Sequence, residues 1–153
     1  MIIDRTKQDV ARWRELHDKG WDAMTAAERT EWLGEMKGRY NHTDMNRVES
    51  AVEALSARFV EEGYLASPLT VKTDWNRWSC PTLTDMERYL GNIERLRKLV
   101  PVYPTTPVTP TVKQKLDYNL ANDIEKILVD LDDILTKIPQ SVYRAGEIYS
   151  GEV

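Results

Sequence analysis

The sequence of 153 residues has little of several things: one cysteine, two histidines, one phenylalanine and no long apolar run. No stretch approaches the roughly 20 apolar residues of a membrane span, so we expect no contact with a membrane. Cys80 stands alone, which makes an intramolecular disulfide impossible and a cysteine-based metal cluster unexpected. The start, MIIDRTKQDVARW, is charged by its fourth residue and does not predict a signal peptide. These features favour folding in a reducing cytoplasm.

Motifs that carry chemistry are also lacking. His17 and His42 form no HExxH pattern, and neither GxGxxG nor GxxxxGK[ST] occurs, so we expect no metal, nucleotide or other cofactor. Cys80 precedes a proline and has no neighbouring base to activate it. The acids at 130, 132 and 133 are expected on a solvated helix face. We therefore predict a protein that is not an enzyme, although a cell-wall glycosidase with two carboxylates across a cleft stays open as a weaker alternative.

What the chain does have is typical of a single globular domain. Hydrophobic residues make up 41% and charged residues 30%, with a formal net charge of −4 spread along the chain. No basic patch stands out, so we expect no nucleic acid as a partner. Five tryptophans and seven tyrosines serve either a small helical core or an interface with a partner.

Apolar residues at helical spacing, with caps and glycine or proline stops, predict five helices. Their expected ranges are 6–18, 25–37, 43–63, 82 or 84 to 100, and 113–138, with a break of the last helix near Asn119 left open. Thr25 with Glu28, and Thr84 with Glu87, have the spacing of capping boxes. The segments YLASPLTVKTDWNRWSCP and PVYPTTPVTP should be extended connections, the second being a spacer or a proline-rich recognition segment.

The fold class that follows is all-α: an irregular bundle of about five helices with extended, proline-containing connections. Residues 1–40 should form an N-terminal helical pair, residues 43–138 three similar helices, and residues 139–153 a C-terminal tail. Pro139 is expected to end the fifth helix. The tail is expected to be a small hairpin, an ordered tail or a segment that orders on binding.

Three helices share one pattern, which suggests an internal duplication. They read DMNRVESAVEAL, DMERYLGNIERL and DIEKILVDLDDI, beginning at Asp44, Asp85 and Asp123. A base follows three residues after each aspartate, and apolar residues follow at offsets of four, eight and eleven. Those offsets define one helix face, which we expect to supply scaffold rather than chemistry.

Several segments resemble a family of small proteins encoded in tail modules of Firmicutes phages and prophages. They are DRTKQDVARWRELHDKGWDAMTAAERTEWL, MKGRYNHTDMNRVESAVEAL, PLTVKTDW, LANDIEKIL and GEIYSGEV, and the resemblance extends over nearly the whole chain. The resemblance is most specific in a YNxxDLNRVE-like motif, here carried by Tyr40, Asn41, Asp44, Asn46, Arg47, Val48 and Glu49. Met45 replaces the commoner leucine, a change that keeps volume and apolarity. The resemblance implies a virion structural or assembly component near the distal tail, baseplate or fibre, and it brings no catalytic residues.

The expected function is therefore that of a tail-associated adaptor, located in the virion, that contacts other phage structural subunits and forms a homo-oligomer. The alternative is a soluble assembly chaperone or regulatory module that does not enter the particle. Large aromatic residues outside the helices are the candidate partner contacts. They are Trp75, Trp78, Tyr103, Tyr143 and Tyr149. The sequence leaves open which tail component is bound, the copy number and any host receptor.

Overall fold

The computed structural model describes the backbone of residues 1–149 and the side chains of residues 1–138. The described backbone is all-helical, without a strand, and confirms the predicted helical bundle. The α-helices are α1 (Lys7–Lys19), α2 (Ala26–Leu33), α3 (His42–Glu61), α4 (Leu83–Arg97) and α5 (Tyr118–Tyr149). A short 3₁₀ helix, Trp21–Ala23, lies between α1 and α2.

Side-chain caps fix where the helices begin. Thr25 and Glu28 form the predicted capping box of α2: the Thr25 amide donates to the Glu28 carboxylate at 2.7 Å, and the Glu28 amide donates to the Thr25 hydroxyl at 3.2 Å. The capping box predicted for α4 is wrong, because Thr82 and Asp85 form it instead of Thr84 and Glu87. Starting two residues earlier adds a backbone hydrogen bond, from Met86 to the Thr82 carbonyl.

The core lies between α3, α4 and α5, which pack against one another. All nine apolar residues at offsets four, eight and eleven of the shared pattern are buried. They are Val48, Val52, Leu55, Tyr89, Ile93, Leu96, Ile127, Leu131 and Ile134. The face predicted from the three similar helices is therefore the central packing surface. Their origin by duplication stays a prediction.

The N-terminal helices form a second packing unit, in which they contact each other. α1 packs on α2, and the Trp13 and Trp32 rings stack with centroids 6.2 Å apart. The strand-like segment before α1 runs along α5, where the Asn122 side chain bonds the main chain of Arg5 at both its N–H (3.0 Å) and its carbonyl (2.9 Å). Residues 1–40 are thereby attached to the three-helix core.

Two predicted helix ends are wrong. α2 ends at Leu33 rather than near Gly38, because Gly34 caps it by donating its N–H to the Thr30 and Glu31 carbonyls. α5 continues through Pro139 to Tyr149. Proline fixes φ near the helical value and omits a single N–H donor, so a helix can continue through it at a cost. The predicted tail thus begins as helix, and residues 150–153 lie outside the described residues.

The long connections contribute to the core as well as spanning it. Residues 62–82 and 98–117 form no helix or strand. Leu69 is buried, and its amide donates to the Ser56 hydroxyl on α3 at 3.2 Å. Thr106 is also buried, and its hydroxyl donates to Asp130 on α5 at 2.7 Å. The prediction of a solvated acidic face is therefore wrong for Asp130, which the proline-rich connection covers.

Candidate interaction surface

The YNxxDLNRVE-like motif lies where the N-terminal segment, α3 and α5 meet, and its Asp44 is buried there in an ionic cluster. Asp44 and Glu125 are 3% and 0% exposed, and Arg5 is 4% exposed between them. One guanidinium nitrogen of Arg5 lies 2.9 Å from Asp44 and 2.7 Å from Glu125. Arg47 donates to both carboxylates as well, with its Nε 3.1 Å from Glu125. The cluster balances two cations with two anions, as buried charges require.

The other end of the motif connects α3 to α4. Glu49 is 1% exposed and accepts two hydrogen bonds from Arg88, at 2.9 and 2.6 Å. The Tyr40 and Tyr89 hydroxyls lie 2.5 Å apart in the same region. Such a two-bond arginine–carboxylate pair fixes both distance and orientation. The motif therefore links α3 to both other core helices.

The electrostatics of this region fit a structural role. Burial would raise the pKa of Glu125, but hydrogen bonds from Arg47, the Ile2 amide and Arg5 outweigh it and lower that pKa. Burial raises the pKa of Tyr40 and of Tyr89, so both phenols stay neutral. Because each carboxylate is held by arginines, the cluster stabilises the packing of the helices, and its groups are already bonded to one another.

Trp75, a predicted partner contact, lies in the core instead. It is 4% exposed and belongs to the apolar cluster between the helices. The Asn46 side chain on α3 bonds the main-chain N–H of Trp75 at 2.9 Å and its main-chain carbonyl at 2.8 Å. The Lys72 ammonium lies 4.9 Å from its ring centroid, over the ring. The prediction fails for Trp75 because its large apolar surface is buried within its own chain.

Tyr103 is half-buried and bonded to its own chain. Its hydroxyl donates to Asp133 on α5 at 2.6 Å, and the Lys137 ammonium lies 5.5 Å from its ring centroid. This arrangement holds the proline-rich connection onto α5. The other two predicted contacts, Tyr143 and Tyr149, lie on the helical backbone of α5, but their side chains are outside the described residues.

Among the predicted contacts whose side chains the structure describes, Trp78 is the most exposed, with 90% of its surface accessible. It sits on a turn over residues 76–79 that three hydrogen bonds close. The Asn76 amide donates to the Ser79 hydroxyl (3.0 Å), the Trp78 amide to the Asn76 side chain (2.9 Å), and the Ser79 amide to the Asn76 carbonyl (2.9 Å). We call this feature the Trp78 turn. It presents a large apolar side chain to solvent on an ordered backbone.

A hollow of about 320 Å³ adjoins the Trp78 turn. Its walls come from the C-terminal end of α2, the start of α3 and the turn itself, and they include Leu33, Arg39, His42 and Arg77. Leu33 is 52% exposed and contributes apolar area to the wall of this hollow. An apolar residue next to a hollow with a polar rim is the arrangement found at the centre of protein interfaces.

Sequence reasoning missed the buried partners of the motif. Arg5 lies in a short polar segment before α1, and Glu125 lies beside the apolar stripe of α5, so neither shows a local sign of burial. Their separation of 120 residues also hides the pairing. Only the balance of charge across the motif, with the two acids Asp44 and Glu49 against the one arginine Arg47, hints that distant cations are needed.

Within the described residues, no three histidine, cysteine, aspartate or glutamate side chains are grouped as metal ligands would be. None of the helices in that part of the chain is both apolar and long enough to cross a bilayer. No family model, curated protein or solved structure matches this chain.

Proposed function

We propose that this chain is a non-enzymatic adaptor that joins protein subunits through the Trp78 turn. The observation that supports the proposal is the exposure of Trp78 on a closed turn. A tryptophan buries about 150–250 Å² at an interface. At roughly 25 cal/mol per Å², its burial against a partner would contribute about 4–6 kcal/mol before the costs of association.

The fixed backbone of the Trp78 turn reduces the free energy that binding would cost. The three hydrogen bonds already fix the backbone of residues 76–79, so binding loses less conformational entropy than it would with a mobile loop. Asn46 attaches the start of the turn to α3 through Trp75. A partner would therefore meet a preformed tryptophan supported by the core.

We propose further that the partners are virion proteins of a tail module and that the adaptor forms a homo-oligomer in the particle. The motif from Tyr40 to Glu49 supports this origin by its resemblance to phage tail-module proteins. Its side chains bind one another and the neighbouring helices, which suits a scaffold that displays a contact surface.

The proposal is tested by measuring the chain in purified particles. Particles from an induced lysogen that carries the gene are banded on a density gradient, and the chain is quantified by mass spectrometry against the major tail protein. We expect a constant ratio across the band. Presence in the lysate but not in the band would instead support the assembly chaperone, and a compact monomer that is missing from particles would overturn the adaptor.

A further inference from the structure

A second hollow, of about 720 Å³, shares Arg39 with the wall of the first but differs from it in chemistry. It is bounded by α1, by the residues before α3 and by those at the start of α5. Its apolar and aromatic walls include Val10, Trp13, Tyr40, Leu116 and Tyr118. We call it the basic hollow, because the described residues that line it include six cations and one acid, Asp117.

Four of the six cations in the basic hollow have no carboxylate partner among the described residues. The cations concerned are Lys7, Arg14, Arg39 and Lys115, and all four are exposed. In the part of the chain that the structure describes, none of them lies within 4.0 Å of a carboxylate, whereas Arg5 and Lys37 in the same wall are ion-paired. A chain with a net charge of −4 thus concentrates unpaired positive charge around one concavity.

The spacing of these cations favours an extended ligand over a single small anion. Lys7 and Arg14 are two turns apart on one face of α1, about 10 Å along the helix axis. Lys115 belongs to a separate segment on the wall before α5. An extended peptide places side chains of one face about 7 Å apart, so successive acidic residues can reach different cations. The aromatic walls would accept an apolar side chain between them.

We infer that the basic hollow binds a short acidic segment of a partner protein, one that carries an aromatic or apolar side chain among its carboxylates. The segment's carboxylates pair with Lys7, Arg14 and Lys115 at the rim, and the apolar side chain lies against Trp13 and Tyr118. This contact is separate from the Trp78 turn and gives the chain a second, electrostatically selective docking site.

The test is fluorescence anisotropy of the purified full chain with a labelled peptide of glutamates around one central tyrosine. The double variant Arg14→Gln, Lys115→Gln should weaken binding about tenfold, since two rim charge pairs are lost. Its matched control is Arg95→Gln, Lys113→Gln, which removes the same charge from exposed residues that do not line the hollow. Circular dichroism checks that both variants are folded.

We expect the control to bind as the wild type does and raised salt to weaken binding. Equal affinity in the two double variants would overturn the inference, as would equal binding of a peptide with lysine in place of glutamate. Tighter binding of a single-stranded oligonucleotide than of the acidic peptide would also overturn it. Both double variants retain Trp78. A negative result in the peptide assay would therefore overturn the peptide site without bearing on the proposed role of the Trp78 turn.

Discussion

The Asn46 side chain bonds both main-chain polar groups of Trp75, 29 residues later in the chain. Its amide nitrogen donates to the Trp75 carbonyl at 2.8 Å, and its amide oxygen accepts from the Trp75 N–H at 2.9 Å. An extended segment without a strand partner must satisfy its buried main chain in another way, and this asparagine does so. The pair holds the connection between α3 and α4 against the core and ends where the Trp78 turn begins.

Asn46→Ala should lower the free energy of unfolding by about 2–3 kcal/mol, because two main-chain groups of a buried residue lose their partners. Urea denaturation followed by circular dichroism measures it. Asn92→Ala is the matched control, since Asn92 gives a single bond, to the exposed Thr70 carbonyl at 2.8 Å. Its loss should be below about 1 kcal/mol. Equal losses in the two variants would contradict the role given to Asn46.

The two tryptophans of this connection should behave in opposite ways. Trp78→Ala should change the free energy of unfolding by less than about 0.5 kcal/mol, because the side chain is 90% exposed. Trp75→Ala should cost about 3–5 kcal/mol, because it empties a core position. Denaturation of both variants under one set of conditions checks this. A large loss in Trp78→Ala would show that the fold needs that side chain.

Gly38 marks a close approach of the chain to α1. A Cβ there would lie 2.0 Å from the Asp9 carbonyl oxygen, so Gly38→Ala must shift backbone and should cost at least about 1–3 kcal/mol. Gly91 is the control: it lies in α4 with no atom within 4 Å of an added Cβ. Gly91→Ala should stabilise the protein by about 0.5–1 kcal/mol. Thermal melts of both variants measure the two changes in stability. A melting temperature that shifts in the same direction in both variants would contradict the close approach at Gly38.

Glu125 should make the protein sensitive to acid. Its pKa is lowered in the folded state from its ordinary 4.5, so its contribution is present above about pH 4.5 and is lost as the pH falls through the lowered pKa. Glu125→Gln should cost about 3–5 kcal/mol at neutral pH, because Arg5 and Arg47 lose a buried partner.

Urea denaturation across a pH series measures the difference between the wild type and Glu125→Gln. That difference should shrink as the pH falls below 4.5, because the wild-type carboxylate becomes protonated there. The comparison also removes the contribution of the other acids, which the two proteins share. A difference that stays constant across the series would mean that Glu125 does not contribute as a charge.

Local patterns predicted much of this fold. The spacing of apolar residues in the three similar helices identified nine positions, and all nine are buried, because a helix face is set by its own 3.6-residue period. The cap at Thr25 and the helix end at Gly20 also depend only on residues that are neighbours in the sequence. The predictions at Thr84 and Gly38 were wrong because a second residue of the same type lies nearby. Thr82 can cap a helix as Thr84 can, and Gly34 can end one as Gly38 can.

What could not be predicted depends on residues far apart in the chain. Trp75 and Trp78 differ by three positions and look alike in sequence, yet Asn46 holds the first in the core and the second is exposed. The ionic cluster joins Arg5 to Glu125 across 120 residues. The basic hollow likewise collects cations from three separate segments, none of which is basic enough to stand out alone.

Particle incorporation shows whether Trp78 is the contact through which the chain joins its partners. The chain is quantified relative to the major tail protein in gradient-purified particles that carry either the wild type or Trp78→Ala. Val108→Ala, which truncates another apolar side chain that is 77% exposed, is the control. With equal soluble levels of all three, we predict a loss of at least about tenfold for Trp78→Ala alone. An unchanged ratio for Trp78→Ala would contradict the account.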